Sequence, residues 1–184
     1  MHGITARWQD WAGIGWEHLE LREGTDGVVA EAVVLGTEDG VPFGAGYRIV
    51  CDPFWRVRSV DVHRAGGAVR LSLVSDGAGN WRYGSGEPLP ELVGALDVDL
   101  TATPFTNTLP IRRLRLKAGE SAEIRAAYIR FPDLAVMPDR QRYTCLEAGR
   151  LYRYEAVDGD FSRDIEVDDN GLVVTYPGLF RRIL

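Results

Sequence analysis

Apolar and polar residues alternate with a period of two through most of this chain, while the spacing of an amphipathic helix is scarce. Val28-Val29-Ala30-Glu31-Ala32-Val33-Val34-Leu35, bounded by Asp26-Gly27 and Gly36, reads as a strand, as do Trp16 to Leu21 and Gly46 to Cys51. An Asp39-Gly40 turn separates the last two of these in sequence order. Trp55 to His63 also alternates but changes phase near Ser59, with Trp55 and Val57 facing one way and Val60 and Val62 the other. A β-bulge produces such a slip and bends the sheet. Val69, Leu71 and Leu73 mark a half-buried face that ends at Ser75-Asp76-Gly77, with Asn80 to Tyr83 as the return arm. Further strands follow at Leu96 to Leu100, Glu123 to Phe131, Gln141 to Leu146 and Leu151 to Val157. Ile165 to Val167 and Leu172 to Tyr176 flank Asp168-Asp169-Asn170-Gly171, and Asn-Gly between strands is the strongest short-range hairpin signal.

Many short strands with regularly spaced turns make a mostly antiparallel, all-β protein, a sandwich or a barrel. No stretch of the 184 residues resembles a linker, so the expectation is a single domain over 1–184. Helix is confined to Pro88 to Gly94 and to the segment around Thr106 to Leu114, where Pro104 and Pro110 hold it to short turns. A sheet with this many strands must curl or close to bury its apolar face, and the interior of a curled sheet is a natural ligand site.

A net charge of −6 argues against a generic electrostatic grip on nucleic acid or on an anionic membrane. Cys51 and Cys145 belong to no CxxC pair or Cys/His cluster, so both read as small strand hydrophobes. The N-terminal residues carry no continuous apolar run of the kind a secretory signal needs, and no segment approaches the roughly 20 apolar residues of a membrane helix. A cytoplasmic protein without integral membrane association is expected.

The most distinctive stretch is LDVDLTATPFTNTLPIRRLRL, residues 96–116. Asp97 and Asp99 stand two apart in a strand and share a face. Two carboxylates there are either the polar side of a half-buried strand or an acid/base or hard-metal pair. Thr101, Thr103, Thr106, Asn107 and Thr108 gather hydroxyl and amide groups around Pro104-Phe105, and Arg112, Arg113 and Arg115 follow. Buried at a cavity mouth, these groups would read sugar hydroxyls or a head-group phosphate through forked hydrogen bonds. Trp55-Arg56-Val57-Arg58 offers an anion clamp beside an apolar lining, or plain exposed arginines. Tyr152 and Tyr154 share an aromatic face opposite Arg153 and Glu155. The YPGLFRR ending is a docked tail or a lid.

His2, His18 and His63 are scattered, and neither a GxSxG elbow nor a P-loop occurs. Gly44-Ala45-Gly46 is too short for a dinucleotide fingerprint. No metal, cofactor or catalytic residue is assigned.

The chain resembles, over nearly its whole length, a family of bacterial proteins described as "putative glycolipid-binding". Cys51-Asp52 with Trp55-Arg56, Asp76-Gly77 with Asn80-Trp81, and LDVDLTATPFTNTLPIRR at 96–113 carry the resemblance. Gln141-Arg142-Tyr143-Thr144, Tyr152-Arg153-Tyr154-Glu155 and the YPGLFRR ending add to it. The resemblance implies a curled antiparallel sheet, an unclosed barrel with short helices on its concave side, similar to bacterial lipoprotein carriers. It implies a glycolipid or similar amphipathic small molecule as partner, with the oligomeric state left open. The site expected on these grounds comprises Asp97, Asp99, Thr101, Thr103, Phe105, Asn107, Arg112 and Arg113, together with Trp55, Arg56, Arg142 and Tyr154. The alternative is an enzyme acting on such a ligand with Asp97 or Asp99 as general acid or base. The lack of a nucleophile motif or histidine partner favours binding.

Overall fold

Residues 2–38, 40–67 and 70–184, without the His2 side chain, are described by the computed structural model. Asp39 of the expected turn and Val69 of the expected half-buried face lie outside them. The strands are β1 (His2–Asp10), β2 (Trp16–Gly24), β3 (Gly27–Glu38), β4 (Val41–Cys51), β5 (Val57–Arg64), β6 (Arg70–Ser75) and β7 (Trp81–Tyr83). They continue as β8 (Asp97–Leu100), β9 (Ser121–Arg130), β10 (Ala135–Glu147), β11 (Leu151–Ala156), β12 (Ser162–Val167), β13 (Val173–Tyr176) and β14 (Phe180–Arg182). Helix among the described residues is limited to 3₁₀ turns at Pro90–Leu92 and Phe105–Asn107 and to α1 (Thr108–Leu114), at the two segments expected.

All fourteen strands of the described residues join one curled sheet that is not closed, in the order β7-β6-β5-β4-β3-β2-β1-β14-β13-β12-β11-β10-β9-β8. Neighbours are antiparallel except β8 and β9, which run parallel because α1 and its flanking turns carry the chain across between them. Two meanders are therefore sewn together where β14 pairs with β1, Trp8 opposite Arg182 and Asp10 opposite Phe180. The YPGLFRR ending contributes a strand of this seam rather than a tail merely docked on the surface.

The phase change near Ser59 is a bulge. The β4–β5 ladder slips between the Val50/Ser59 and Cys51/Val57 pairs. The extra residue brings Trp55, Val57, Val60 and Val62, which the alternation assigns to opposite faces, onto buried positions of one core. That core also takes Ala6 and Trp8, Leu19 and Leu21, Val28 to Val34 at alternate positions, Ile49, Leu71 and Leu73. Phe105 and Leu109, from the turn and from α1, are fully buried against it, each worth roughly 1.5–3 kcal/mol. A second, smaller core gathers Ile111 of α1 with Tyr143, Cys145, Tyr152, Tyr154, Ile165, Val173 and Tyr176. Cys51 and Cys145 sit one in each core as free, buried thiols, and burial pushes both above the ordinary thiol range.

The link from β7 to β8 crosses from one edge of the sheet to the other. It is held to the β5–β7 side by Val57 N donating to Leu96 O (3.2 Å), Gly94 N to Gly79 O (2.9 Å) and Trp81 Nε1 to Ala95 O (2.8 Å). Gly79 has φ +95° and a Cβ there would stand 2.8 Å from the Gly94 Cα, so only glycine permits this approach.

Candidate ligand-binding site

β8 separates the two cores. Val98 and Leu100 join the larger one, so alternation turns Asp97 and Asp99 to the opposite face. The two carboxylates then part company. Asp97, 1% exposed, takes the Arg113 guanidinium of α1, with Nε to Oδ1 at 3.0 Å. Burial still holds the Asp97 carboxyl above its usual range, against the pull of that arginine. Asp99 has no arginine. Its Oδ1 accepts from Thr106 Oγ1 (2.9 Å) and its Oδ2 from Gln141 Nε2 (2.7 Å). Burial pushes Asp99 up to about 6, with the two hydrogen bonds pulling down and the nearby Asp139 charge adding to the rise. The same Gln141 amide donates to Asp139 Oδ2 (2.9 Å), so one side chain bridges two carboxyls.

Asp99 stands in the wall of a cavity of about 420 Å³. Thr101, Thr103, Asn107, Tyr128, Arg130, Asp139, Tyr154, Phe161 and Tyr176 line it, with Glu38, Leu179 and Phe180 at one end. Tyr154 packs edge-on to Phe161 (5.8 Å between centroids) and lies 6.3 Å from Tyr176. Tyr128 is pushed up to about 12 by burial and by the Asp99 and Asp139 charges, which keeps its hydroxyl a donor. A second cavity of about 250 Å³ adjoins it, walled by Trp8, Trp11, Trp16, Val34, Leu35, Phe43, Asp10 and Glu17. Glu38, Thr101, Leu179 and Phe180 are common to both walls. A compartment rich in tyrosine and polar groups thus shares an edge with one rich in tryptophan and leucine.

Glu17 is the most unusual group between them. Its strand phase is that of Leu19 and Leu21, so β2 turns it inward, 3% exposed. Its Oε1 accepts from Tyr47 OH (2.5 Å) and Thr103 Oγ1 (2.8 Å), while Oε2 is buried without a hydrogen-bond partner. Burial raises it from 4.5 to about 7, the two hydrogen bonds opposing. Thr103 in turn stands in the tyrosine-cavity wall, so the Glu17–Thr103 bond runs from one compartment to the other.

Of the residues expected at the site, Asp99, Thr101, Thr103, Asn107 and Tyr154 do line the tyrosine cavity. Asn107 Oδ1 accepts from Tyr143 OH (2.9 Å), and Thr101 Oγ1 accepts from Phe131 N (2.9 Å). Phe105 is a core residue behind that wall. The remaining members stand elsewhere, the charged ones in ion pairs and Trp55 in the core. Arg113 holds Asp97. Arg112 bonds Glu23 (2.9 Å) and the Asn170 carbonyl (2.8 Å) and lies 4.4 Å over the Trp55 ring, which is itself buried at φ +64°. Arg56 pairs with Asp52 at 2.8 Å. Arg142 alternates with the inward-facing Gln141 and Tyr143, which leaves it outside with Glu123.

Glu17, Tyr128, Asp139, Phe161, Tyr176 and the tryptophans complete the walls without having been singled out from the sequence. Strand parity carries the signal for two of them: Glu17 shares phase with Leu19 and Leu21, and Asp139 shares phase with the buried Gln141, Tyr143 and Cys145. No three His, Cys, Asp or Glu side chains among the described residues are arranged to hold a metal ion. No helix among the described residues is long and apolar enough to cross a membrane.

Fold and cavities together define an all-β protein built on one open, curled sheet with two adjoining, partly open cavities. The chain belongs to the family described as "Putative glycolipid-binding", whose model matches residues 5–182. It is similar to a DUF1089 family protein from Pseudomonas aeruginosa known from a crystal structure, with a TM-score of 0.82, 42% identity and 92% of each chain covered. No curated protein matches it significantly.

Proposed function

We propose that this protein binds a glycolipid or similar amphiphile across its two compartments. The polar head lies against Asp99, Thr101, Thr103, Asn107 and the tyrosines, and the apolar part lies along Trp8, Trp11, Leu35, Phe43 and Leu179. One observation carries the reading: a polar, hydrogen-bonding cavity and an aromatic-aliphatic one share Glu38, Thr101, Leu179 and Phe180 as common wall. Binding sites of this kind combine apolar lining with a few placed polar groups. The family description points the same way. Recognition is favoured over acid–base catalysis because Asp97 is closed off by Arg113, and Asp139 shares the Gln141 amide with Asp99.

Organic extraction of the purified protein, followed by mass spectrometry, is expected to release an amphiphile. Dodecyl maltoside is expected to bind in a calorimetric titration. Finding neither a released amphiphile nor any binding of the detergent would contradict the reading.

A further inference from the structure

The carboxylates of this chain fall into two sets. Away from the cavities they either recruit arginines, as in Glu23–Arg112, Asp97–Arg113, Asp164–Arg153 and Asp168–Arg182, or, as with Asp26, Asp76 and Glu87, lie exposed to solvent. In the cavity walls stand Asp10, Glu17, Glu38, Asp99 and Asp139, and none of these has an ion pair among the described residues. Arg130, the basic residue in the tyrosine-cavity wall, is engaged by Asp133. In a protein so well supplied with arginine, folding alone had every means to neutralise these groups. Burying a carboxyl without a partner costs stability, and such costs are kept where a site needs them.

Glu17 makes the point most sharply. It is 3% exposed, it stands in the wall of the tryptophan compartment, and its Oε2 has no donor. The surroundings are aromatic on both sides, Trp8, Trp11 and Phe43 in one compartment and Tyr128, Tyr154 and Tyr176 in the other. Ring faces and carboxylates attract the same kind of guest, a cation. An anionic head group meets like charge here, and the arginines that would have met it, Arg112 and Arg113, are committed to Glu23 and Asp97.

We infer that the polar part of the ligand carries a cationic nitrogen, an amine or a quaternary ammonium, seated near the shared Glu38–Thr101 border. This rests on the amphiphile reading above and names its ligand class. Without a counter-charge, burial holds Glu17 at about 7 and Asp99 at about 6, and an arriving cation draws both towards the charged form.

Calorimetric titration with three amphiphiles of one chain length tests it: dodecyltrimethylammonium, dodecyl maltoside and dodecyl phosphate, each below its critical micelle concentration. The cationic probe is expected to bind about tenfold tighter than the maltoside, the phosphate to bind weakest, and the cation's advantage to shrink as salt is added. In Glu17→Gln and in Asp139→Asn the ratio of cationic to neutral affinity is expected to fall by about five- to tenfold. Melting curves identify any variant that fails to fold, and the salt series on the unaltered protein stands without variants. Maltoside or phosphate binding as tightly as the ammonium probe would overturn the cation and leave the amphiphile reading standing. Absence of binding by all three would overturn both. Tetramethylammonium binding as tightly as its dodecyl counterpart would support the cation and overturn the role given to the chain.

Discussion

The exposed sheet faces and the interior groove handle charge in opposite ways. On the outer faces, arginines on one strand meet carboxylates on the next, as Arg142 meets Glu123 and Arg153 meets Asp164. Such pairs are exposed and contribute little to stability, but they keep a wide sheet soluble and its registers distinct. In the groove, Glu17 and Asp99 stand among rings, hydroxyls and amides with no arginine paired to either among the described residues. Asp97 and Asp99 show the contrast at its closest, two residues apart on one face of β8, one tied to Arg113 and the other left to Thr106 and Gln141. The first arrangement serves the fold, and the second is the one proposed for recognition.

The largest expected effect lies on the paired side. Arg113→Met leaves Asp97 buried without its partner and is expected to cost about 3–5 kcal/mol in denaturant unfolding. Adding Asp97→Leu to it should recover most of that loss. A loss under about 1 kcal/mol in the single variant would remove Asp97–Arg113 from the structural class.

On the unpaired side the sign reverses with pH. Unfolded Glu17 titrates near the ordinary 4.5, and folded Glu17 near 7. Between these values the folded state keeps a proton that the unfolded state has released, so this contribution to stability is present at low pH and lost as pH rises through 7. Glu17→Gln has no such loss. Its stability relative to the parent should therefore climb by about 3 kcal/mol between about pH 4 and about pH 8. A pH-independent difference would show that Glu17 titrates normally.

Asp99→Asn should weaken dodecyl maltoside binding by about tenfold, a charge-assisted hydrogen bond of roughly 1.5 kcal/mol. Its melting temperature should not drop in step. Lowered stability with full affinity would move Asp99 to the side of Asp97. The smallest effect belongs to the exposed pair of Arg150 and Glu147, where Arg150→Ala should leave the melting temperature almost unchanged and binding untouched.

Strands rich in Val, Leu and Ile are legible in the sequence because alternation alone assigns their inner face, and the bulge near Ser59 shows itself as a break in that alternation. β1 is harder to read, although Ile4, Ala6 and Trp8 alternate with Thr5, Arg7 and Gln9. Its pairing with β14 depends on residues at the far end of the chain. The candidate site is legible in part for a similar reason. The Thr/Asn-rich block after β8 announces hydrogen-bonding capacity, but which carboxylate is neutralised depends on α1 and β10. Arg112 and Arg113 look like an anion site until Glu23 and Asp97 claim them. Glu17 is hidden by its own strand, since a glutamate among WEHLEL reads as surface until its parity with Leu19 and Leu21 is followed.

The central claim is that an alkyl chain enters the tryptophan compartment while the head group stays with the tyrosines. A dodecyl maltoside carrying bromine near the end of its chain tests this directly, because bromine quenches indole fluorescence only at contact. Trp8, Trp11 and Trp16 stand in the groove wall, Trp8 fully buried and the other two half exposed, and Trp55 and Trp81 stand outside it. Saturable quenching is predicted, and it should fall steeply in Trp11→Phe/Trp16→Phe while surviving in Trp55→Phe. Saturable binding without quenching, or quenching that the Trp11→Phe/Trp16→Phe variant leaves unchanged, would contradict the account.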